Sequence, residues 1–167
     1  MRKHIIRGAE LLVSLFLCMP IRVFASGYSE IGQYGRPGVI TIDTPEQIEE
    51  EILLGEMELL AQLVEAEAGN QPFEGKCLIV DVVINRVESP DFPNTISEVI
   101  FQEGQFSVIK NGAFEKAAWN MKEDDYAAVS CEMAIHQNKD VLYFNNSSRV
   151  AGSGEKFKVG GHWFRNG

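Results

Sequence analysis

The stretch from Phe73 to Val87 carries apolar side chains at Phe73, Cys77, Leu78, Ile79, Val80, Val82, Val83, Ile84 and Val87. Wound as an α-helix, these positions cover nearly its whole circumference. Such a helix is stable only when other elements pack on several of its sides, so the rest of the chain must be arranged around it. Pro72 opens it, where a missing N–H costs nothing. Glu74, Asp81 and Asn85 share one ridge and predict a buried polar network that positions the preceding helix.

That preceding helix is predicted from Glu56 to Ala68, with Gly69-Asn70 ending it. Met57, Leu60, Leu63, Val64 and Glu67 recur at the three- and four-residue spacing of one face. Glu67 therefore projects from an apolar stripe, whereas Glu65 is predicted to point toward solvent. A carboxylate on such a stripe is costly to bury, and the helix C-terminus disfavours its charge. Both effects raise its pKa, the property a general acid needs. The pattern leaves a second reading open, in which Glu67 bonds a buried backbone group or Arg86.

Further on, Pro90 and Pro93 precede a short helix from Thr95 to Phe101, followed by a glycine-bearing loop from Gln102 to Gly112. A helix from Glu123 to Gln137 is predicted to turn Tyr126, Val129, Met133 and Ala134 inward. Val141-Leu142-Tyr143-Phe144 reads as a strand, and a glycine-rich tail closes the chain. The fold class is α+β, mainly α, with a small β component late in the chain.

Residues 1–25 read as a signal peptide. Arg2, Lys3 and Arg7 precede the apolar run Leu11–Leu17, and Val23-Phe24-Ala25 offers a cleavage site. The run is too short to span a bilayer. A lipid anchor at Cys18 is disfavoured by the large Phe16-Leu17 before it. Residues 26–55 are expected to form a flexible linker, with a short strand conceivable at Val39–Ile42, and 56–167 the domain proper. The leader holds four of the 15 basic residues and one of the 24 acidic ones. The remainder has 11 basic and 23 acidic side chains, a formal charge of −12. That surface repels nucleic acid and anionic lipid, so neither nucleic-acid binding nor stable membrane insertion is expected.

Cys77 and Cys131 remain after the leader and read as buried thiols, with a single disulfide as the other reading. His136 and His162 form no recognisable metal-ligand pair, so no metal or cofactor is expected. A cysteine peptidase built on Cys77 and His162 is disfavoured, because Cys77 lies inside an apolar helix rather than at an electropositive helix start.

The segment Leu59-Leu60-Ala61-Gln62-Leu63-Val64-Glu65-Ala66-Glu67-Ala68-Gly69-Asn70-Gln71-Pro72-Phe73-Glu74-Gly75-Lys76, with Val82-Val83-Ile84-Asn85-Arg86-Val87, resembles the catalytic domain of the SleB/CwlJ cell-wall hydrolases. Phe92-Pro93-Asn94-Thr95-Ile96, Gly104-Gln105-Phe106-Ser107, Leu142-Tyr143-Phe144-Asn145 and Gly161-His162-Trp163-Phe164 agree in order. The resemblance implies a lysozyme-like fold and a peptidoglycan substrate in cell wall or spore cortex, which secretion through the leader would reach. It implies lytic transglycosylase chemistry with Glu67 as the acid. Gln105, Phe106, Ser107, Tyr143, Asn145 and His162 are the implied substrate contacts. Many relatives have Arg-Gly-Glu where this chain has Gly69-Asn70-Gln71, so a second nearby acid is missing, which disfavours a two-carboxylate hydrolytic mechanism. No separate wall-binding domain is expected. An amidase, another wall hydrolase using water and an inactive wall-binding relative are the alternatives.

Overall fold

The first helix begins well before Glu56. Thr44 Oγ1 accepts the Gln47 backbone N–H at 3.3 Å, and Gln47 Oε1 accepts that of Thr44 at 2.7 Å. This reciprocal cap, with Pro45 at the first helical position, starts α1 (Pro45–Ala68). The linker expected over 26–55 is therefore helical from Pro45 onward; its glutamates Glu46, Glu49, Glu50 and Glu51 are good helix formers. The computed structural model describes residues 44–150 and 152–167. The signal peptide, Cys18 and the Val39–Ile42 strand lie outside the described residues.

Leu53–Gly167 forms one compact unit. Within it α2 (Phe73–Glu88) is central: Leu78, Ile79, Val80, Val82 and Val83 are at most 2% exposed. It packs against α3 (Ile96–Ile100), α6 (Glu123–Ile135) and β1 (Val141–Asn145). Phe73 is exposed at its start, the one apolar position that the packing leaves out. Thr95 caps α3 by accepting the Glu98 N–H. The predicted loop from Gln102 holds one helical turn, α4 (Ser107–Lys110), with α5 (Ala113–Ala117) just beyond it.

The inner face of α6 differs from the one its apolar residues suggest. Val129 is buried, but Tyr126 and Ala134 are exposed and Met133 only half-buried. Asp125, Ala128 and Glu132 fill the inside instead. Asp125 can be buried because Lys76, 1% exposed, reaches it at 2.7 Å and Asp124 at 2.8 Å.

Asp81 and Asn85 do form a buried network, while Glu74 is exposed. The network holds the α6–β1 connection rather than α1. Asn85 Nδ2 donates to the carbonyls of Asn138 and Val141, both at 2.7 Å, and Asp81 Oδ2 accepts from the Asn138 backbone and side-chain amides. The tail adds two strands to β1: β2 (Lys156–Val159) and β3 (His162–Asn166), in the antiparallel order β1-β3-β2. Phe144, Phe164 and Phe157 pair across it, with Phe164 fully buried.

Candidate active site

Leu60, Leu63 and Val64 are fully buried, as their stripe requires, and Glu67 stands half-buried at its end. Burial pushes its carboxyl up to about 7. No hydrogen bond or ion pair within the described residues offsets that cost. Arg86 is not its partner: its Nε donates to the Leu142 carbonyl, and its guanidinium lies against the rings of Phe92 and Phe106. The general-acid reading of Glu67 therefore keeps its physical basis.

Glu65 does not simply face solvent. Lys122 Nζ binds both its oxygens, at 3.0 and 2.8 Å, and the Gly69 carbonyl at 3.1 Å. A cation at a helix C-terminus is favourable in itself, and here it clamps the turn that carries Glu67. Gln71 makes a second tie. Its Oε1 accepts the Gly161 N–H at 2.6 Å, joining the α1–α2 turn to the β2–β3 turn that presents His162. A Cβ at Gly160, which has φ of 56°, would meet Gln71 Oε1 and Pro72, so the contact requires glycine there. Gln71→Ala should cost about 1 kcal/mol; faster hydrogen exchange at the Gly161 amide would report the freed hairpin.

The other implied site residues divide by exposure. Gln105 and Ser107 are exposed around the start of α4, and Asn145 is exposed with Oδ1 accepting the Ser147 N–H. Tyr143 is half-buried, with the Arg165 guanidinium 3.9 Å from its ring centre. Phe106, 2% exposed, packs on Phe144 and belongs to the core. That burial makes it a support for the loop rather than a sugar contact. His162 is 7% exposed and meets Phe144 and Phe164 edge-on; burial holds its imidazole below its ordinary pKa. One aromatic and cationic stack thus joins Phe106, Tyr143 and His162 through Arg86 and Phe144. An open hollow of about 460 Å³ lined by residues including Asn85, Glu88, Lys139 and Asp140 contains none of these residues.

Cys77 is buried and its thiol is pushed up to about 12, chiefly by burial, the reverse of an activated nucleophile. Lys122 and Gln71 were missed as site supports. Gln71 follows Glu67 closely enough to have been suspected, but nothing local links Lys122 to Glu65.

Residues 70–165 match the model of the cell wall hydrolase family, and the chain belongs to that family, the SleB/CwlJ hydrolases. The matched interval begins just after Glu67. Similar proteins include the spore cortex-lytic enzyme of Bacillus subtilis, 42% identical over 57 residues (34% of this chain, 19% of that protein). The spore cortex-lytic enzyme of Oceanobacillus iheyensis is 29% identical over 126 residues, 72% of this chain and 44% of that protein. The chain thus spans less than half the length of these curated relatives. Among solved structures, the catalytic domain of the germination-specific lytic transglycosylase SleB from Bacillus anthracis aligns with a TM-score of 0.54 and 25% identity, over 66% of this chain and 93% of that one. The Bacillus cereus SleB catalytic domain gives 0.57 and 26%, over 68% and 91%. The fold is lysozyme-like and mainly helical, with the small sheet late in the chain.

Proposed function

We propose that this chain cleaves the glycan strand of peptidoglycan between N-acetylmuramic acid and N-acetylglucosamine as a lytic transglycosylase, with Glu67 as acid and base. The observation that carries the reading is a half-buried carboxyl raised to about 7, with nothing among the described residues bonded to it, at the end of the helix entering the family domain. Protonated Glu67 gives its proton to the bridging oxygen as the C1–O bond breaks. The resulting carboxylate takes the proton of the muramic acid C6 hydroxyl, and O6 closes on C1 to form a 1,6-anhydro ring. One carboxylate serves both steps, so an acid at position 71 is not needed. Gln105, Ser107, Tyr143 and Asn145 would contact the sugars, with His162 and Phe106 backing them. Export through residues 1–25, a linker segment and action in wall or cortex belong to the same reading. No helix of the described residues is long and apolar enough to cross a membrane.

Digestion of purified peptidoglycan and spore cortex, with products identified by mass spectrometry, tests this. Anhydro-muramic ends are expected. Reducing ends would make water the acceptor, and free stem peptides would indicate an amidase and end the proposal. Binding without any released fragment would mean an inactive relative.

A further inference from the structure

Where α2 and α6 face each other lies a group of side chains for which glycan cleavage has no use. The Sγ atoms of Cys77 and Cys131 and a carboxylate oxygen of Glu132 all lie within 4.8 Å of one another. Glu132 is fully buried. Its Oε2 accepts the Gln137 backbone N–H at 2.9 Å, while Oε1 is reached by no N–H group and has the Cys77 thiol and the Asp81 carboxyl as its neighbours. Asp81, also fully buried, faces Glu132, and the two carboxyls share a hydrogen bond. Two buried carboxyls side by side are costly to ionise without a cation. Lys76, on the same helix as Asp81, is committed to Asp124 and Asp125, and no described ion pair reaches Glu132 or Asp81.

We infer that Cys77, Cys131 and Glu132 form a binding site for a divalent transition metal of zinc type, stapling α2 to α6. Two thiols with one carboxylate suit zinc; calcium or magnesium would require oxygen donors throughout. Ligands around tetrahedral zinc sit roughly 3.5–4 Å apart, given Zn–S of about 2.3 Å and Zn–O of about 2.1 Å. The observed grouping therefore closes onto a metal with small side-chain movement. The Gln137 N–H on Oε2 fixes the Glu132 carboxylate so that Oε1 is the free donor, an outer-shell support typical of metal-bound carboxylates. Cys131 is only partly buried, which provides an entry path and leaves the fourth position to water. On loading, the two thiols release their protons to solvent as two metal–sulfur bonds form. The ligands come from helices more than fifty residues apart, so no spacing in the sequence marks the site.

The test uses the full chain purified under reducing conditions without chelator. Elemental analysis should find about one zinc per chain. Cobalt(II) in its place should show a thiolate-to-cobalt charge-transfer band with tetrahedral visible bands. Glu132→Gln should weaken zinc binding about 10–100-fold while keeping the charge-transfer band, and Cys131→Ser should roughly halve that band. Added zinc should raise the wild-type Tm by several degrees and leave Cys131→Ser unmoved. The wild-type metal content and cobalt spectrum need no variant, so a variant that fails to fold does not spare the proposal. Metal-free protein that takes up no cobalt and has all three thiols, Cys18 included, titratable after denaturation overturns it. So does a mass two hydrogens lower with one titratable thiol left and a Cys77–Cys131 cross-linked peptide on digestion, which means a disulfide. Unchanged binding in both variants places the metal elsewhere and overturns it as well.

Discussion

Glu67→Gln should lower release of glycan fragments about 10²–10⁴-fold, the contribution typical of a positioned general acid. It should also stabilise the protein at neutral and alkaline pH. The folded chain holds the Glu67 proton up to about 7, against an ordinary value of 4.5. Folding therefore favours the protonated form, and stability is lost as pH rises from the ordinary value through about 7. Above that the penalty is complete, on the order of 2–3 kcal/mol once the partial exposure of the carboxyl is allowed for. Glutamine carries no such penalty. Urea denaturation should thus find the variant more stable than wild type at about pH 8 and equal to it at about pH 4. Wild-type turnover should decline as pH rises through about 7, because the acid form starts the reaction. A variant that keeps activity, or one no more stable at pH 8, would remove Glu67 from the role argued for it.

The largest loss of stability should come from Lys76→Ala, about 3–5 kcal/mol. Lys76 is 1% exposed and Asp125 not exposed at all, and the two meet at 2.7 Å. Removing the ammonium leaves a buried carboxylate with no counter-charge, while Asp124 is half in solvent and loses little. Asp125 also accepts the Lys122 N–H at 2.7 Å, which caps the start of α6. Asparagine could still accept that bond. The double variant Lys76→Met with Asp125→Asn should therefore recover much of the loss, a coupling measurable by a double-mutant cycle. A single-variant loss below about 1 kcal/mol would show that the pair does not hold α2 to α6.

Both residues also show where reading the sequence succeeds and where it stops. Glu67 was legible because its anomaly is local: a carboxylate at the spacing of Leu60, Leu63 and Val64 needs only helix geometry to be seen. The same geometry identified the central helix, whose apolar residues leave almost no face for water. The cap Thr44–Gln47 was equally legible in principle, yet the acidic residues after it were read as a tether, because exposed helix formers and linker residues have similar composition.

Lys76, Asp125 and Glu132 were illegible for the opposite reason. Each is a charged side chain that local rules place in solvent, and each is buried because of a partner or neighbours some fifty residues away. That is why α6 was turned to the wrong face, and why Asp81 and Asn85 were assigned to α1 rather than to the α6–β1 connection. The sequence alone determined the helical class, the central position of α2 and the singular acid on α1. Tertiary structure alone decided which charges go inside, that Lys122 and Gln71 hold the turn beyond Glu67, and that two distant cysteines meet. Periodicity reports how one element divides water from core, whereas pairing between elements depends on distances that exist only after the chain has folded.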